Sequence, residues 1–193
     1  TQGLAHADSW GADGHKWLQT PHDCGYAIVR HEAAHRRAMS IVASYLPEAE
    51  GITHPWDYVP ELSRRARGFA TWAMLRHLGR EGLVAMVSRH CALARRMAER
   101  LSGEADVEIM NDVVLNQVTV RFGKGLEGAA SDRLTERTIA RVQEDGVCFV
   151  GGALWRGRQI MRVSVIGEAT READIDTSAG AILRAWRAEL SGG

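Results

Sequence analysis

A lysine set between an imidazole and an indole is the chemically suggestive feature of this sequence: His15-Lys16-Trp17 closes the stretch Ser9-Trp10-Gly11-Ala12-Asp13-Gly14. Of the 24 basic residues only two, Lys16 and Lys124, are lysines, so charge meant for solvation is carried by arginine. Arginine stays protonated at working pH, whereas a desolvated lysine can become a neutral amine and bond to a carbonyl carbon as a Schiff base. Lys16 is therefore the first candidate for covalent chemistry. Its structural reading is a half-buried lysine whose stem packs on Trp17 while the ammonium stays in water. His15 could orient a ligand or be an ordinary loop histidine. Asp13 and Ser9 could meet polar groups of a ligand or cap the loop.

Three further groups could do chemistry. Tyr45 lies in a segment, residues 44–60, that holds Pro47, Pro55 and Pro60 and few apolar anchors, which describes a long functional loop; its hydroxyl could move a proton or anchor the loop. Arg162 has apolar neighbours and needs a carboxylate, either a substrate's or an internal one. His31-Glu32-Ala33-Ala34-His35 satisfies H-E-x-x-H, a zinc-hydrolase signature. It follows directly on a strand, precedes Arg36-Arg37 and has third-ligand candidates (Glu48, Glu50, Glu61) only in or beside the loop, so it reads better as a solvated helix with no metal. Arg64, Arg65 and Arg67 sit near Glu61, which favours ion pairs over nucleic acid.

The elements that position these groups follow from periodicity. Residues 24–30 read as a buried strand and 31–40 as a helix. Residues 62–78 and 83–101 read as two helices punctuated by Gly79, Gly82 and Gly103. The pattern then changes to strands, and residues 102–105 are the expected domain boundary. Residues 107–110 and 113–122 are strands around an Asn111-Asp112 turn, with Gln117, Thr119 and Arg121 on the wet face. A helix capped by Ser131 runs to Gly146; 147–150 and 159–165 form a hairpin turning at Arg156-Gly157; a last helix follows Thr170. The second part is thus a small β-β-α-β-β-α sandwich.

Composition bounds the function. A hydrophobic share of 45% supports a real core, and zero formal net charge gives no basic field for nucleic acid or a membrane surface. No apolar run is long enough for a membrane span. Cys24, Cys91 and Cys148, odd in number and set among apolar neighbours, read as reduced thiols of a cytoplasmic protein.

Ser9-Trp10, then Lys16-Trp17-Leu18, with Asp23-Cys24 and Arg30 beyond, resembles the lysine-site signature of the group II pyridoxal-phosphate-dependent decarboxylases. Ser44-Tyr45-Leu46 resembles their mobile catalytic loop, Ser63-Arg64-Arg65-Ala66-Arg67-Gly68 the lead into the next helix, and Ile160-Met161-Arg162-Val163-Ser164 a small-domain strand. His22, where an aromatic is usual, and Ala27, where a larger apolar residue is common, depart from the pattern. The resemblance implies the C-terminal half of a fold-type-I enzyme, α/β passing into α+β. Residues 1–103 would end the large cofactor-binding domain and 104–193 form the small domain. The rest of the cofactor site would lie in an earlier part of a longer polypeptide or on a complementary chain.

The resemblance further implies decarboxylation of a small-molecule L-amino acid to its amine. Lys16 would carry pyridoxal 5'-phosphate, with His15, Asp13 and Ser9 lining the cofactor site and Arg162 meeting the substrate carboxylate. Tyr45 would reach a neighbouring subunit's site in a homodimer and protonate the carbanion; a phenylalanine there would indicate an aldehyde-forming variant. An aldehyde synthase or aminotransferase-like activity is the nearest alternative, and a zinc hydrolase or a non-catalytic fragment the more distant ones.

Overall fold

The computed structural model describes residues 2–41 and 54–191, so Ser44, Tyr45 and Leu46 lie outside the described residues. The chain forms two compact units, Thr1–Leu78 and Gly79–Gly193.

In the first unit β1 (Ser9–Asp13) and β2 (Gly25–Val29) form an antiparallel hairpin that pairs Ser9 with Val29 and Asp13 with Gly25. A single helical turn, α1 (Gly14–Trp17), opens the connection between them, and α2 (Glu32–Met39) follows. β1 is an addition to the sequence reading, where 9–13 is simply loop. β2 was expected to be buried, yet within this chain taken alone Ile28 is 60% exposed and both strands are largely uncovered. Its apolar run resembles a core strand because composition reports side-chain type and not what covers it.

The third helix, α3 (Arg67–Ser102), is continuous except at Gly79, whose φ of 62° and ψ of −177° suit a residue without a Cβ. The two helices expected are present on either side of Gly79; the first begins at Arg67 and the second runs helically through Gly82. Beyond the kink Leu93, Ala94, Met97 and Leu101 enter the second unit's core. The two compact units thus meet in sequence at this kink.

The second unit is an antiparallel sheet in the order β3-β4-β6-β5, built from β3 (Val107–Ile109), β4 (Gln117–Phe122), β5 (Gly151–Trp155) and β6 (Arg158–Ser164). One face packs Val118, Val120, Phe122, Met161 and Val163 against α3, α4 (Gly128–Asp145) and α5 (Glu172–Ser191). Trp186 of α5 meets Phe122 with ring centroids 5.2 Å apart. The expected order of elements is present. Gly146 ends α4 at φ 70°, and Arg156 and Gly157 turn the hairpin at φ 50° and 73°, both left-handed as a two-residue I′ connection requires.

Two local expectations are corrected. α4 starts a turn before Ser131, whose buried hydroxyl donates to Phe122 O at 2.6 Å instead of capping the helix. Arg121 is buried, not wet: it donates to Ser131 Oγ (2.7 Å), Gly128 O (2.9 Å) and Asp132 Oδ1 (2.8 Å) at the start of α4. A guanidinium paired in this way can leave water where an unpaired one cannot.

Candidate functional site

The lysine-bearing turn is fixed mainly by its backbone. Gly14 N–H donates to Cys24 O at 2.9 Å and Thr20 N–H to Gly14 O at 3.3 Å, so both backbone groups of one residue are held, one at the start of β2 and one within the connection. Gly14 is buried, and a Cβ there would stand 2.5 Å from Tyr26 Oη and 2.6 Å from Thr20 Oγ1. Glycine is needed for that close approach. After Lys16 the chain reverses at Gln19, a non-glycine residue at φ 54°. Its side-chain amide donates to Lys16 O at 2.6 Å, compensating part of the ~1–2 kcal/mol that a left-handed conformation costs.

On this frame Lys16 is the exposed group, its side chain 60% accessible, and Nζ donates to Asp13 Oδ2 at 2.5 Å. The hydrogen bond from Lys16, and then its charge, hold the Asp13 carboxyl below the usual carboxylate range. The half-buried position of the purely structural reading is thus not found, nor is the amine desolvated within this chain; the ammonium turns to a carboxylate three residues back. The His15 ring stacks on His22 at 4.2 Å and 17° between planes, so His22 supplies the flat partner for which the resemblance expects an aromatic. Ser9 begins β1 at the far end of the hairpin from Asp13. Lys16, His15 and Asp13 are therefore brought together, and Ser9 stands apart from them along the strand.

Asp23 accepts from Arg65 at 3.3 Å and Arg67 at 3.2 Å; Arg67 also pairs with Glu61 at 3.1 Å, and Arg64 donates to the Glu61 and Leu62 carbonyls. The arginine cluster thus makes internal ion pairs and backbone bonds. The zinc-type motif is likewise engaged: His31 faces Asp8 at 3.6 Å, Glu32 accepts from Tyr58 Oη at 2.7 Å, and His35 meets the Tyr58 ring edge-on. Among the described residues no three His, Cys, Asp or Glu side chains converge as a metal site.

In the second unit Arg162 stands on the sheet face opposite the core, paired in register with Thr119 of β4 and Gly151 of β5. It is exposed, and it makes no ion pair with a described acid. An internal carboxylate, one of the two partners the sequence allows it, is therefore not supplied by the described residues.

Sequence reasoning did not find the residues that support the lysine turn. Tyr26 Oη lies 2.9 Å from Thr71 Oγ1, and the Cys24 thiol approaches the same oxygen at 3.5 Å. The hydrogen bond to Thr71 holds the Cys24 thiol below its usual range. The available signal was weak: a tyrosine inside an apolar run, whose hydroxyl needs a partner when partly buried.

Residues 1–123 match the model of the pyridoxal-dependent decarboxylase conserved domain. The chain is 28% identical over 181 residues to aromatic-L-amino-acid decarboxylase of Drosophila lebanonensis, covering 92% of this chain and 43% of that protein. It is 26% identical to phenylacetaldehyde synthase of Arabidopsis thaliana over 90% of this chain and 36% of that one. In fold it resembles Catharanthus roseus tryptophan decarboxylase solved with L-tryptophan (TM-score 0.83, 19% identity, 97% of this chain and 40% of that one). It also resembles Oryza sativa TDC solved with PLP and tryptamine (TM-score 0.88, 20% identity, again 97% and 40%). The chain spans less than half the length of the curated relatives it matches.

Proposed function

Because the chain belongs to the pyridoxal-dependent decarboxylase family, we propose that its parent polypeptide decarboxylates an L-amino acid to the amine, with Lys16 as the amine that holds pyridoxal phosphate. The observation that carries this is the combination at one turn: an accessible primary amine, a stacked imidazole beside it, and a glycine cradle that a Cβ would fill. The amine fits the aldehyde of such a cofactor, and the glycine cradle leaves the turn's backbone open to a close approach. Pyridoxal phosphate supplies the electron sink that makes loss of CO2 from an α-carbon feasible.

The chain's own residues prepare that chemistry. A lysine must lose its proton before bonding to a carbonyl. The Lys16–Asp13 pair is therefore opened first, and Asp13 acts on the amine more than on a phosphate, whose charge it would repel. His15, braced by His22, is proposed to present its flat ring to the cofactor from the residue before the lysine. Ser9 is assigned to the rim of the cofactor site through its place in the motif. Arg162, free of internal acids among the described residues, receives the substrate carboxylate. Tyr45 is the proton donor after CO2 leaves, which favours the amine over the aldehyde. An aldehyde-forming reading gains one support, the phenylacetaldehyde synthase among the relatives. We further assign residues 1–103 to the large domain and 104–193 to the small one, in a homodimer. The cytoplasm is the proposed location, on the strength of three free cysteines. No described helix is long and apolar enough to cross a membrane.

Borohydride reduction of the full-length protein with pyridoxal phosphate, followed by peptide mapping, tests the reading. The label is expected on Lys16, and Lys16→Ala should remove the yellow colour while Tyr45→Phe keeps it and diverts product from amine. Label on Lys124, or none, overturns the assignment.

A further inference from the structure

Among its described residues the first unit has almost no apolar interior from which to position its lysine: only Gly14, Thr20, Cys24 and Asp57 are buried. Three of these four surround the lysine turn, and what closes over them is polar. Tyr26 Oη is the atom nearest to a Cβ placed on Gly14, at 2.5 Å, with Tyr26 Cζ at 2.9 Å, so the phenol end forms the floor under that residue. The phenol is itself fixed: Thr71, 45 residues along the chain in α3, holds Tyr26 Oη at 2.9 Å. The Cys24 thiol converges on the same threonine oxygen, and Cys24 O accepts the Gly14 amide. Thr71 therefore reaches Gly14 by two routes, one through the tyrosine ring and one through the Cys24 residue.

We propose that Tyr26 and Thr71 are positioning residues for Lys16: their hydroxyl pair sets the height of Gly14 over β2 and so the direction in which the amine two residues later leaves the turn. The proposal rests on Lys16 being the cofactor amine. A hydroxyl pair that merely ties α3 to the hairpin would stabilise both without affecting the turn selectively. The structure offers an internal control for that distinction. Arg30 N–H donates to Asp8 O at 2.9 Å at the opposite end of the same hairpin, remote in sequence from Gly14.

The test uses the full-length protein in wild-type, Tyr26→Phe, Thr71→Val, double and Thr71→Ser forms, with hydrogen exchange read at the Gly14, Thr20 and Arg30 amides. Loss of one net hydrogen bond should speed exchange at Gly14 and Thr20 about fivefold and leave Arg30 unchanged. The double variant should be no worse than either single one, and Thr71→Ser should restore protection. With pyridoxal phosphate added, the pH midpoint of the yellow absorbance should move in Thr71→Val and return in Thr71→Ser. Unchanged exchange at Gly14, an equal rise at Arg30, or an unmoved midpoint each overturns the proposal. A colourless wild-type protein overturns the cofactor assignment instead, while the exchange arm, which needs no cofactor, still decides the hydroxyl pair.

Discussion

Gly14→Ala sets two effects of opposite sign against each other. Gly14 opens α1 without a left-handed φ. On backbone entropy alone alanine there should stabilise the protein by about 0.4–1 kcal/mol. Against this, the new methyl would sit 2.5 Å from Tyr26 Oη, 2.6 Å from Thr20 Oγ1 and 2.9 Å from Tyr26 Cζ, where comfortable contacts lie near about 3.5 Å. The threonine can turn its hydroxyl away by a χ1 rotation. The tyrosine cannot withdraw without lengthening its 2.9 Å bond to Thr71. Overpacking of this kind costs about 1–3 kcal/mol, and three contacts under 3.0 Å put this case in the upper half of that range, so the net expectation is a loss of about 1–2.5 kcal/mol. Equilibrium urea unfolding of the full-length protein measures it. In a Tyr26→Leu background, which removes the phenol, the same alanine should cost less than half as much. An alanine variant as stable as wild type, or more so, would show that the turn is not clamped from below, and the account of how Lys16 is aimed would fall with it.

Two other outcomes are expected. His90 is buried in the second unit with Nε2 2.9 Å from Gly167 O, and burial pushes its pKa below the ordinary imidazole value. The fold therefore favours the neutral ring. Its contribution is complete above the unfolded value of about 6.5, is lost as pH falls from there toward the lowered folded value, and is constant below that. A urea-stability profile that falls less steeply over this range in His90→Gln would bear this out, and an identical slope would refute it. Arg162→Ala removes an exposed side chain that makes no ion pair with a described acid. Stability should stay within about 0.5 kcal/mol while KM for the amino acid rises more than kcat falls. A stability loss with KM unchanged would make the arginine structural.

The second unit was legible because its local signals agree with its packing. Alternation put Val118, Val120 and Phe122 on the inner face, where they are fully buried, and the Gly146 and Arg156-Gly157 stops lie where the chain turns left-handed. Legibility failed where a long-range bond overrides a local rule. Arg121 obeys the period-two pattern of a wet position, yet Ser131 and Asp132, ten and eleven residues later, draw it inside. β5 begins at Gly151, after the apolar run 147–150 that in sequence has the look of the strand. Phe149 in that run is 82% exposed, so hydrophobicity alone marked the wrong four residues.

The candidate site divides along the same line. Lys16 could be found because its residue type is rare in this chain and because only an amine does the chemistry, both of which are properties of one position. What aims it is relational: a tyrosine, a threonine 45 residues away and a glycine that must lack a side chain because of where the tyrosine ends. Neither hydroxyl lies on a hydrophobic period, and in a strand as exposed as β2 no apolar pattern could have marked the inward side. A positional reading can therefore name the reacting atom and still be silent on its orientation. In this unit orientation rests on a few polar contacts of about 1 kcal/mol each, so small hydroxyl deletions should change the lysine's reactivity well before they unfold the protein.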